Sequence, residues 1–157
     1  MTIDQAEQEL INKKLKITRI IWFANIIADI AIYLIISNIT FTAIKTDLPY
    51  AHYVLAALAI SELVVVIVMR RIRMKPSVIK RLSEKGPGEV ARNFFNIDVI
   101  SIFLSDSIFI YGIIGYILTG DFQILKMFAA VTALALLYFY PREGVRKMQY
   151  EDSFTSS

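Results

Sequence analysis

Three carboxyl side chains stand near the middle of long apolar runs of this sequence. Asp29 interrupts the run 20–39, Glu62 the run 53–69 and Asp106 the run 94–118. A charge at bilayer depth costs at least a few kcal/mol, so such groups face a bundle interior, pair with one another or mark an ion path. At a helical rise of about 1.5 Å per residue, each of the three lies near the middle of its run. Neither lysine nor arginine stands at that depth to neutralise them. Ionised carboxylates crowded in low dielectric repel one another, so one or more is expected to carry a proton or hold a cation. The purely structural alternative is that they are protonated groups hydrogen-bonded to Ser, Tyr and Asn. Residue types and spacing leave both open.

Helical spacing places further polar groups beside them. Asn25, Asp29, Tyr33 and Ser37 recur every four residues as a slowly winding stripe. In the third run Asp98, Ser101, Ser105, Gly112 and Tyr116 share a face, with Asp106 on its flank. Serine and glycine there permit close helix approach and interhelical hydrogen bonds. Asp98 falls about one turn inside the cytoplasmic interface. Lys126 falls about one turn below the outer one and can snorkel outward.

Other chemistry finds little purchase. The chain has no cysteine and a single histidine, His52, at a run boundary, so thiolate, thiol and His-based metal or haem sites are not expected. No nucleophile motif and no phosphate-cradling glycine loop is present, and Gly86-Pro87-Gly88 reads as a turn. Trp22 and Tyr138-Phe139-Tyr140 suit an aromatic belt at the membrane interface. The expectation is a protein that is no enzyme and takes no cofactor and no metal.

The elements that must position these residues are legible from composition. Of the 157 residues 56% are hydrophobic, and mean hydropathy is +0.55. Ordinary soluble domains hold roughly 45–50% apolar residues. Most of the apolar residues lie in four runs, 20–39, 53–69, 94–118 and 122–140, and a transmembrane helix needs about 20 residues. Membrane strands would need only about 9–11 residues, alternating in polarity, and these runs are long and unbroken. The fold class read from this pattern is all-α: a polytopic membrane protein with a four-transmembrane-helix bundle.

Orientation follows from the basic residues. Lys13, Lys14, Lys16 and Arg19 precede the first run. Arg70, Arg71, Arg73, Lys75, Lys80, Arg81, Lys85 and Arg92 fill the middle loop, and Arg142, Arg146 and Lys147 follow the last run. Only Lys45 and Lys126 lie elsewhere, so both termini and the loop 70–93 are expected to be cytoplasmic. A net charge of +3 distributed this way orients insertion and attracts anionic lipid headgroups; no nucleic acid partner is expected.

Residues 1–19 read as a cytoplasmic amphipathic segment along the headgroups, with Thr2 and Gln5 as a capping box and Ile3, Ala6, Leu10 and Ile17 on one face. The transmembrane domain spans 20–147, and its first run reads as a retained signal anchor. A short helix is expected from Pro76 to about Lys85, with Val78, Ile79 and Leu82 as its apolar face, and the third long helix from near Glu89. Residues 40–52 form an outer loop. Gly120-Asp121 is a tight connection that makes the third and fourth helices antiparallel neighbours, and 148–157 is a polar tail.

Residues 105–113, Ser-Asp-Ser-Ile-Phe-Ile-Tyr-Gly-Ile, resemble the ion-binding helix of rotary ATPase proteolipid (c-type) subunits. In that family a carboxyl is followed five residues later by an aromatic and then a small residue, which Asp106, Tyr111 and Gly112 match. The second and third runs also form a hairpin with a polar basic loop, as in the family. The resemblance implies that Asp106 is the reversible proton or sodium carrier, that Ser105 and Tyr111 support it, and that Glu62 shares the ion. Two features depart from the family. The second run carries Ala56, Ala57 and Ala59 where the family's inner helix is glycine-rich, and Phe109 stands where proline is frequent.

The functional expectation is a small integral membrane protein, proteolipid-like, located in a prokaryotic plasma membrane. Its protonatable or cation-binding site is at Asp106, with Glu62, Asp29, Ser105 and Tyr111. Expected partners are membrane lipid, H+ or Na+, and further copies of itself or a larger membrane complex. The alternative is a non-catalytic scaffold or accessory subunit of such a complex.

Overall fold

The computed structural model describes residues 3–39, 50–86, 88–142 and 145, with side chains from Gln5 onward. Most of the expected outer loop, Arg146 and Lys147 of the last basic cluster, and the polar tail fall outside these residues.

Neither glycine nor proline occurs between Ile3 and Asn38, and α1 runs unbroken over Ile3–Asn38. At about 1.5 Å per residue it is roughly 54 Å long, well beyond the ~30 Å hydrocarbon layer. The helix α2 covers Ala51–Arg73 and stops short of Pro76, because Lys75 before the proline is extended and Pro76 opens α3, Pro76–Ser83. Gly88, at φ 92°, precedes α4, Glu89–Thr119, which ends at left-handed Gly120. The N–H of Gly120 closes the last turn on the Tyr116 carbonyl. Asp121 then accepts from the Gln123 N–H at 2.9 Å and caps α5, Phe122–Tyr138. Among the described residues the fold is all-helical, and α1, α2 and α4 are each long and apolar enough to cross a membrane. The 17-residue α5 is apolar but shorter.

The hub is α4, on which α1, α2 and α5 each pack. Contacts fix the directions. Glu7, Trp22 and Ile36 of α1 meet Ala91, Ile102 and Phe109 of α4 in ascending order, so the two run parallel. Leu55 and Arg70 of α2 meet Ile108 and Asp98 in descending order, and α5 also returns antiparallel, Phe128 beside Gly112 and Ile124 beside Gly115. Gly112 and Gly115 make that return close: an added Cβ would lie 2.6 Å from Phe128 Cβ and 2.7 Å from Ile124 Cγ2. Outward faces are apolar along most of their length, with Ile27 and Leu34 on α1, Val64 and Val68 on α2, Ile110 on α4 and Leu134 on α5 exposed. A skin of this kind suits lipid rather than water.

The N-terminal segment departs from expectation. It does not lie across the bundle end as a separate amphipathic helix but continues straight into the first apolar run, because no residue there breaks the helix. Its buried stripe is also rotated by one position. Glu7, Ile11, Leu15 and Thr18 are buried, whereas Leu10 and Ile17 of the expected face are exposed. Ile11 packs with Ile79 of α3 and with Val90, Ala91 and Phe94 of α4, which gives that stripe a protein partner. The short helix falls where the sequence placed it, with Ile79 fully buried and Leu82 against the same cluster.

Candidate intramembrane carboxyl sites

Each flank of α4 carries its own polar constellation. Helical geometry explains the division: at about 100° per residue, Asp106 and Tyr111 point some 140° apart. Ser107 and Tyr111, four residues apart, share the flank that meets α2. There the Tyr111 hydroxyl donates to Glu62 Oε1 at 2.5 Å, and the Ser107 hydroxyl donates to Oε2 of the same carboxyl. Ser107 is bifurcated, also donating to the Leu104 carbonyl at 2.7 Å. Glu62 is thereby held by two hydroxyl donors from the neighbouring helix.

On the other flank Asp106 faces α1. Its carboxyl stands beside that of Asp29, close enough for the two to interact. A carboxyl–carboxyl hydrogen bond needs a proton on one partner, because an ionised carboxylate has only acceptors. Asp29 Oδ2 and, one turn below, Asn25 Nδ2 are buried without a hydrogen-bond partner among the described residues, as is Thr132 Oγ1 on α5. Of the sequence stripe Asn25–Asp29–Tyr33–Ser37, the first three are half-buried. Ser37 is exposed and bonds its own helix, donating to the Leu34 carbonyl.

A third constellation lies about two turns nearer the basic end. Arg70 of α2 forms an ion pair with buried Asp98 at 3.2 Å and donates at the same distance to Ser101 Oγ. Its guanidinium also stands 5.2 Å over the Phe139 ring. Sequence reasoning placed Arg70 in the loop and left Asp98 without a partner. The signal was the four-residue extension of α2 past its apolar run, Arg70 to Arg73, which carries Arg70 alongside α4.

The expected site residues are therefore divided. Glu62 and Tyr111 come together, and Asp29 and Asp106 come together. Tyr111 serves Glu62 rather than Asp106, and fully buried Ser105 donates to the Ser101 carbonyl at 2.8 Å. Asn25 and Ser107 join the site, and nothing in the spacing of the sequence marks Ser107. Among the described residues no three His, Asp or Glu side chains converge as metal ligands. The chain matches no protein-family model, and neither curated proteins nor solved structures show significant similarity to it.

Proposed function

We propose that the chain is a small integral membrane protein of four transmembrane helices, α1, α2, α4 and α5, with both termini and the basic loop 70–93 on the cytoplasmic side. It binds a proton or Na+ at carboxyls held near bilayer mid-depth. The observation that carries this reading is the meeting of Asp29 and Asp106 from different helices, with no arginine or lysine among the residues lining the space around Asp29. Two carboxyls so placed share a proton or a cation, since two bare charges there repel. Asp106 and Asp29 form the preferred site; Glu62, with its hydroxyl donors Tyr111 and Ser107, is the second. The proteolipid-like hairpin of α2 and α4 agrees with this reading in its topology.

Carbodiimide labelling tests it, since the reagent modifies a protonated carboxyl. Purified protein in detergent is labelled across a pH series and mapped by mass spectrometry. Modification at Asp106, Asp29 or Glu62 that falls with rising pH or added Na+ is the expected result. Absence of modification at all three in folded protein overturns the proposal.

The second reading is an accessory subunit of a larger membrane complex. It draws on the outer faces of α1 and α2, which nothing covers among the described residues. Co-purification of a stoichiometric partner, undiminished in Asp106→Asn, would favour it.

A further inference from the structure

A groove of about 360 Å³ opens sideways between α1 and α5 at the depth of Asp29. Phe109 of α4 forms its back, Ile30 and Leu137 are among its walls, and Asp29, Tyr33 and Thr132 are its polar residues. Towards the basic end Trp22 Nε1 donates to the carbonyl of Leu136 in its wall at 2.9 Å, and towards the other the tilted rings of Tyr33 and Phe122 lie with centres 5.8 Å apart. The size of the groove falls within the range of small-molecule sites, roughly 300–1,000 Å³.

The polar atoms indicate the occupant. Thr132 is 98% buried, and its Oγ1, like Asp29 Oδ2, has no partner among the described residues. An unmet buried acceptor is costly, and a hydrocarbon chain would leave both unmet. An anion is repelled by the Asp29–Asp106 pair. A neutral alcohol has one donor and no charge to set against two carboxyls. An ammonium group offers several N–H donors and the opposite charge, and an aryl or alkyl body fills the apolar walls.

We propose that this groove binds a hydrophobic organic ammonium ion arriving from the bilayer, with Asp29 as counter-ion and Thr132 as hydrogen-bond acceptor. The inference deepens the proposed function and rests on its ionisable carboxyl at Asp29.

Trp22, the single tryptophan, is hydrogen-bonded to Leu136 of the groove wall and reports on it. The protein in phosphatidylcholine nanodiscs is titrated with 4-(4-bromophenyl)butylamine, whose bromine quenches indole fluorescence at short range, and in parallel with the matching butanol. Saturable quenching by the amine is expected, roughly tenfold weaker for the alcohol and for Asp29→Asn. Thr132→Val should weaken the amine several-fold while leaving carbodiimide labelling of Asp29 intact, which separates loss of the site from loss of the fold. Equal, non-saturating quenching by both compounds, or an undiminished response in Asp29→Asn, overturns the proposal. If Asp29 or Asp106 still labels in that case, the carboxyl reading stands and only the ligand assignment falls.

Discussion

Glu7, near the start of α1, accepts a hydrogen bond at 3.2 Å from the backbone N–H of Ala91, 84 residues further along the chain. The same carboxyl accepts from the Gly88 N–H, so one buried side chain of α1 caps the first turn of α4. An exposed N-cap contributes about 1 kcal/mol, and leaving buried amides unmet costs more. Glu7→Ala is expected to destabilise the protein by roughly 2 kcal/mol, and Glu7→Gln, which keeps one acceptor oxygen, by less. Hydrogen exchange should locate the change: the amides of Gly88 and Ala91 lose protection first. Unchanged exchange there would remove the capping role.

The Arg70–Asp98 pair invites a double-mutant cycle. Removing one partner of a buried pair leaves an uncompensated charge and costs about 3–5 kcal/mol, and the 18% exposure of Arg70 puts this case at the low end. Asp98→Asn and Arg70→Met are each expected to lower the melting temperature in detergent. The double variant should lose clearly less than the sum, because it leaves no lone charge. Additive losses would mean that the two side chains do not depend on each other.

Which parts of this structure the sequence made legible follows from what the signals encode. Run length and hydropathy locate helices, and Pro76, Gly88 and Gly120 punctuate them, so α2 to α5 begin and end close to expectation. The antiparallel neighbourhood of α4 and α5 was legible in Gly120-Asp121. Helix rotation was not. Periodicity gives a stripe but not its partner, so the buried face of α1 lies one residue from the expected one; the pairing of Tyr111 with Asp106, implied only by the resemblance, runs against a turn angle that sends Tyr111 towards α2. Glu7 gave no signal at all, because its partners are backbone amides far away in sequence.

The two glycines of α4 should respond differently to the same rescue. Gly112→Ala brings a methyl against Phe128 Cβ, an atom that Phe128→Ala retains, so that second change gives no relief. Gly115→Ala meets Ile124 Cγ2, which Ile124→Ala removes. Overpacking of this kind costs about 1–3 kcal/mol. Thermal unfolding is expected to show that Ile124→Ala recovers part of the Gly115→Ala loss, while Phe128→Ala deepens the loss from Gly112→Ala. Rescue in both pairs, or in neither, would mean that α5 shifts as a body instead of being held at these two contacts.

Orientation is open to a direct check because the chain contains no cysteine, so each introduced thiol is unique. Ser77, exposed on α3 within the basic loop, and Tyr50, exposed just ahead of α2, stand at opposite ends of α2. The basic residues around Ser77 predict that it faces the cytoplasm. In sealed cells or oriented vesicles, a membrane-impermeant maleimide should therefore modify Tyr50→Cys from outside, and Ser77→Cys only after the membrane is opened. The reverse pattern would invert the protein and place the buried Arg70–Asp98 pair near the outer surface. Modification of both from one side would mean that α2 does not cross the membrane, and the mid-depth setting of Glu62, on which the carboxyl chemistry depends, would be lost with it.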